Sequence, residues 1–198
     1  MSRRRSPLVQ RLLAGVLCLT AVVLLRSAAV RAEADAWRAL RQPGHVAFMR
    51  HSEAPGGAGD PAGFRLDDCT TQRNLSELGR AQARRTGAAL ARYQVTFDRV
   101  LTSPWCRCRE TARLVSDNVA EDFDALSNLV GRQEQRATQI TALKSYLSRL
   151  DAGSRVLFVT HGILISALLG INPAQGEIVV VRVSAGGEPS VVGRFLID

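Results

Sequence analysis

Two apolar runs that each end in a histidine constrain this chain more than any other feature. Val46-Ala47-Phe48-Met49 leads into Arg50-His51, and Val156-Leu157-Phe158-Val159 leads into Thr160-His161-Gly162. Unbroken apolar runs of this length are the pattern of strands buried on both faces, as in parallel sheets covered by helices. In open sheets of that kind ligands bind beyond the carboxyl ends of the strands. The chain has three histidines, and two stand at that position. The third, His45, opens the first run and is expected to have no role beyond the strand start.

A third run, Val100-Leu101-Thr102, passes into Ser103-Pro104-Trp105-Cys106-Arg107. Serine as N-cap and proline at the first helical position predict a helix over about 104–118, with Arg107 in its opening turn. Other expected helices cover 76–93, 136–150 and a short stretch ending at Gly170. The helix over 136–150 rests on Ile140, Leu143, Leu147 and Leu150 recurring on one helical face. Expected strands cover 45–50, 99–102, 123–126, 155–160, 177–183 and 191–197. Apolar strands separated by helices give a single-domain, three-layer α/β/α fold with a mostly parallel central sheet. The Gly- and Pro-rich stretch from Glu53 to Asp68 is expected to form a mobile loop beside the strand ends.

These residues resemble the histidine phosphatase superfamily, also called phosphoglycerate-mutase-like. Its marks are Arg-His-Gly after the first strand, Ser-Pro-x-x-Arg-x-x-x-Thr-Ala after a middle one, and a late His-Gly. Here they stand as Arg50-His51-Ser52-Glu53, as Ser103-Pro104-Trp105-Cys106-Arg107 continuing to Thr111-Ala112, and as His161-Gly162. Leu75-Ser76-Glu77-Leu78-Gly79 with Gln82-Ala83 is similar to the family's Leu-Ser/Thr-x-x-Gly-x-x-Gln-Ala helix start. The resemblance implies a metal-independent phosphomonoesterase without a cofactor, in which His51 attacks phosphorus, Arg50 and Arg107 clamp the phosphate, and His161 donates. Arginine suits the clamp, because its planar fork pairs with phosphate oxygens and stays protonated.

Other assignments keep alternatives. Arg73-Asn74-Leu75-Ser76 resembles an Arg-Pro-Leu-Thr stretch of short bacterial phosphohistidine phosphatases, which implies a pocket role for Arg73; otherwise it is a solvated loop arginine. Ser52 replaces the family's glycine and could donate its hydroxyl to the ligand. The acid that protonates the leaving oxygen is expected at Glu134, with Glu53, which otherwise contacts substrate, and Asp122 and Asp124 as competitors. Cys69 pairs with Cys106 or Cys108, or all three are shielded thiols. Two other function classes stand beside the leading one: a non-catalytic anion- or phosphate-binding protein on the same fold, and a zinc-stabilised module using the cysteines and His161.

The net charge of +8 would suggest a polyanionic partner if it described the folded domain. Six arginines precede the first acidic residue, however, and the chain after residue 32 carries 20 basic and 18 acidic side chains. Nucleic acid is therefore not expected as a partner. Residues 1–32 have an arginine-rich start, an apolar stretch from Leu12 to Leu25, and Val30-Arg31-Ala32 as a cleavage site. That is the layout of a secretory signal, with an uncleaved membrane anchor as the alternative, and residues 33–198 forming the domain. A periplasmic phosphatase acting on a small phosphorylated molecule, such as a phosphosugar or a lipopolysaccharide-core group, is the resulting expectation.

Overall fold

A computed structural model of the chain describes residues 31–197. The expected segment 1–32 falls almost wholly outside the described residues. Six strands form one sheet in the order β3-β2-β4-β1-β5-β6, comprising β1 (His45–Arg50), β2 (Arg99–Thr102), β3 (Ala120–Asp122), β4 (Val156–Thr160), β5 (Ile178–Val183) and β6 (Pro189–Phe195). β3, β2, β4 and β1 run parallel, whereas β5 and β6 are antiparallel to their neighbours. The helices are α1 (31–39), α2 (Glu77–Arg92), α3 (Cys106–Val115), α4 (Arg136–Leu147) and α5 (Gly162–Leu169).

Strand periodicity builds the two cores. Ala47, Met49, Leu157, Val159, Ile178 and Val180 face one side and pack with residues of α1, α2 and α3, among them Trp37, Leu90 and Val115. Val46, Phe48, Val156, Phe158, Val179 and Val181 face the other, against Leu143 and Leu147 of α4 and Leu164 and Ile165 of α5. Both faces are buried, which is why these strands read as continuous apolar runs. Phe48 and Phe158 are register partners whose rings stack with centroids 4.6 Å apart. Among the described residues no helix is long and apolar enough to cross a membrane.

Several boundaries differ from the sequence reading for local reasons. The helix carrying Arg107 begins at Cys106 rather than Pro104, with Trp105 as N-cap and no side-chain cap of its own. Ser103 is drawn away, its Oγ lying 2.8 Å from Nε2 of His161. Gln72, reaching across from a loop, accepts the free N–H of Cys106 at 3.0 Å. α3 stops at Val115 because Ser116 is extended. The short strand lies at Ala120–Asp122 instead of 123–126, and Asp124–Leu126 is a 3₁₀ turn. α1 escaped the sequence reading because it lies in the alanine-rich continuation of the leading segment. Its Trp37 stacks on Tyr93 and Phe195.

Candidate active site

The four parallel strands end on one edge, and the residues that follow β1, β2 and β4 meet there. Arg50 and His51 leave β1, Arg107 sits in the first turn of α3 behind β2, and His161 is the N-cap of α5 behind β4. They line one cavity of about 710 Å³ together with Arg73, Asn128, Gln175 and the glycine-rich segment 56–59. Two glycines make the approach possible. A Cβ on Gly162 would stand 3.2 Å from Cδ and Nε of Arg50, so glycine lets the guanidinium lie across that turn without being pushed aside. A Cβ on Gly79 would overlap the carbonyl oxygen of Glu53, which explains the glycine in the Leu-Ser-x-x-Gly helix start.

His51 is 2 % exposed, and its Nδ1 lies 2.8 Å from the carbonyl oxygen of Ser52. A carbonyl only accepts, so Nδ1 carries the proton and Nε2 keeps its lone pair. Burial, reinforced by the charges of Arg107, Arg50 and Arg73, pushes its pKa down to about 3 against the opposing hydrogen bond to Ser52. His161 is held neutral by the same causes, burial first and then Arg107. Its Nδ1 is 3.4 Å from Nη2 of Arg107, a donor, so Nδ1 accepts and Nε2–H donates to Ser103. The two imidazoles meet edge to face, centroids 5.5 Å apart.

The arginines are held by backbone and by one carboxylate. Nη1 of Arg50 donates to the Pro173 carbonyl at 2.8 Å, and Nη1 of Arg73 to that of Ala54 at 3.0 Å. Arg107, fully buried, is gripped by Asp60 through Nη1 at 2.6 Å and Nη2 at 3.2 Å. Nε of all three arginines is buried without a hydrogen-bond partner. Arg73 thus belongs to the cavity and not to solvent. Thr111 accounts for its place in the Ser-Pro motif: its hydroxyl donates to the Arg107 carbonyl at 2.7 Å and accepts the Ser52 N–H at 3.0 Å, tying helix to strand end.

Other expected residues lie elsewhere. Ser52 is fully buried, its hydroxyl has no partner, and it does not line the cavity. Glu53 turns to the start of α2, where its carboxylate accepts from Ser76. Glu134 is exposed in the turn Gln133–Gln135, outside the lining residues. Asp122 is paired with Arg109, and Asp124 is exposed in its own turn. Cys69 and Cys106 form a disulfide, Cα atoms 5.7 Å apart, stapling the segment before Arg73 to the start of α3. Cys108 is a buried free thiol, its pKa pushed up by burial to about 12. With two of the cysteines bonded to each other, the zinc-module set is reduced to Cys108 and His161. Asp60 and Gln72 were missed, because an Asp in a Gly-Pro loop and a lone glutamine carry no pattern.

Residues 46–136 match the sequence pattern of the histidine phosphatase superfamily, branch 1. No curated protein sequence matches the chain. Among solved structures, the protein histidine phosphatase SixA complexed with tungstate is similar, with 23% identity and a TM-score of 0.58. The alignment covers 77% of this chain and 96% of that one. The alpha-ribazole phosphatase of Shigella flexneri shows 17% identity and a TM-score of 0.52 over 77% and 94% of the two chains. A mycobacterial glucosyl-3-phosphoglycerate phosphatase shows 16% identity and a TM-score of 0.53 over 78% and 97%. At these identities the likeness speaks for the fold, and residues 46–136, with the strand-end motifs they carry, follow the pattern of the histidine phosphatase superfamily.

Proposed function

We propose that the protein hydrolyses small phosphomonoesters through a phosphohistidine formed on Nε2 of His51. The observation that carries this reading is the convergence of three guanidiniums and two neutral imidazoles on one cavity, with three buried Nε–H donors unpaired. An unpaired buried N–H costs roughly 1–3 kcal/mol, and a tetrahedral oxyanion is the ligand that would satisfy several at once. Three arginines against Asp60 leave two positive charges, the complement of a phosphomonoester dianion.

In the first step the Nε2 lone pair attacks phosphorus while the bond to the leaving oxygen breaks. Arg50, Arg73 and Arg107 neutralise the equatorial oxygens, the main demand of phosphoryl transfer on a protein. The Ser103 hydroxyl accepts from Nε2–H of His161, which fixes that ring with its Nδ1 lone pair on Arg107, so His161 orients the clamp. Water then attacks the phosphohistidine, the P–N bond breaks, and inorganic phosphate leaves with His51 neutral again. Among the described residues no carboxylate lines the cavity, so the proton for the departing oxygen is assigned to solvent.

The cavity volume suits a small molecule, and the amides of Asn128 and Gln175 suit a polyhydroxylated one such as a phosphosugar. The solved relatives are named for different phosphorylated compounds, so the fold itself does not choose the substrate. Export to the cell envelope is supported by the leading segment and by the Cys69–Cys106 disulfide, a bond that persists in oxidising compartments. The non-catalytic anion-binding reading draws on Ser52 in place of glycine. Turnover of an aryl phosphate by the purified full chain decides between them. Turnover that withstands a chelator is expected; phosphate binding without turnover would favour the binding protein.

A further inference from the structure

Asp60 sits in the glycine-rich loop that forms one wall of the cavity, yet its side chain is only 1% exposed. Both carboxylate oxygens are used twice. Oδ1 accepts from Nη1 of Arg107 at 2.6 Å and from the Arg73 backbone N–H at 3.1 Å. Oδ2 accepts from Nη2 of Arg107 at 3.2 Å and from Nε1 of Trp105 at 2.9 Å. One residue thereby joins the loop, the α3 start and the Arg73 segment. The loop around it turns through left-handed Gly56 and Gly59, at φ +101° and +85°.

The geometry points to Asp60 as the positioning residue of the phosphate clamp, gripping the Nη1–Nη2 end of Arg107 so that its Nε side is left for the ligand. This rests on the reading of the cavity as a phosphomonoester site. A carboxylate competing with phosphate would occupy the Nε side, which instead has no protein partner. A mere counter-ion would not need to hold the Arg73 backbone and the Trp105 indole as well. Burial would raise the Asp60 pKa, but the hydrogen bond and charge of Arg107 outweigh it and keep the carboxylate ionised.

A positioning role is felt most where geometry is most demanding, in the five-coordinate transition state. Vanadate, which takes that geometry, and inorganic phosphate, which does not, therefore separate the possibilities. For the full-length Asp60→Asn protein, kcat on an aryl phosphate is expected to fall on the order of 10- to 10²-fold. Vanadate binding should weaken by a similar factor while phosphate binding, by calorimetry, stays within about threefold. Asp60→Glu, which keeps the charge but shifts it by one methylene, should recover part of the loss, and it stands in if Asp60→Asn does not fold. Unchanged or raised kcat would mark Asp60 as a competing plug, and equal weakening of vanadate and phosphate would mark a general charge effect; either overturns the proposal. Wild-type protein that binds both anions but hydrolyses nothing would reject the hydrolase reading alone, since the binding contrast still decides the role of Asp60.

Discussion

The strand-end cluster and the loops that close over it are built on different principles. His51 and His161 follow β1 and β4 directly and Arg107 stands in the first turn of the helix behind β2, so the register of a sheet buried on both faces fixes where these segments emerge. Arg73, Asp60 and the segment 56–59 hang on loops, held by a disulfide, a few carbonyls and one buried ion pair. The sheet therefore sets where the reacting groups stand, and the loops set how tightly the anion is enclosed.

Removing a strand-end group should abolish chemistry while sparing the fold, and His51→Ala is the extreme case. Turnover is expected to disappear while the thermal midpoint moves little; an active variant would break the comparison at its strongest point. Arg107→Ala should cost on the order of 10²–10³ in rate, as other single electrostatic donors do. Arg107→Lys should restore little of it, because one ammonium cannot replace a planar fork.

Loop-held features should affect stability and enclosure first. Replacing Cys69 and Cys106 together by serine removes a cross-link spanning 37 residues of sequence, with an expected loss of about 2–4 kcal/mol in denaturant unfolding. Turnover should fall less than in Arg107→Ala. If the serine pair lost as much activity as Arg107→Ala, the loops would be part of the catalytic frame.

The buried histidines also predict a pH dependence. His51 is lowered in the folded state from its usual 6.5 to about 3, so between these values the unfolded chain binds more protons. Stability should therefore be fully present above about pH 6.5 and decline as pH falls toward 3, by about 1.4 kcal/mol per unit for this one group. His161, lowered for the same reason, steepens the slope. Unfolding free energies at pH 7.5, 6 and 5, compared between wild type and His51→Asn, check this; equal slopes would mean that His51 titrates normally.

The smallest effect is expected at Glu134. Its exposed turn lies outside the cavity lining, so Glu134→Gln should change kcat by no more than about twofold, the scale of a surface substitution. A loss confined to alkyl phosphates, whose departing oxygen needs a proton, would bring that turn into the site as general acid.

The same contrast explains what the sequence made legible. Val46–Met49 and Val156–Val159 announce themselves because burial on both faces demands unbroken apolar residues, and the histidines behind them inherit that clarity. Thr111 and Gly79 were visible within motifs, but their physical purposes emerged only with the Ser52 N–H and the Glu53 carbonyl beside them. Asp60 and Gln72 left no trace, since their partners are 47 and 34 residues away and no periodicity links them. Ser103 misled because the signature of an N-cap is also that of a hydroxyl serving His161.

The central claim is that a phosphoryl group passes through His51, and trapping it is the most direct test. The full chain would be mixed with a labelled phosphomonoester and quenched within a single turnover, then analysed by peptide mapping. The account predicts label on the peptide containing His51, lost in acid, stable in base, and absent from His51→Ala. Turnover without any labelled intermediate, or label on another residue in wild type, would contradict it.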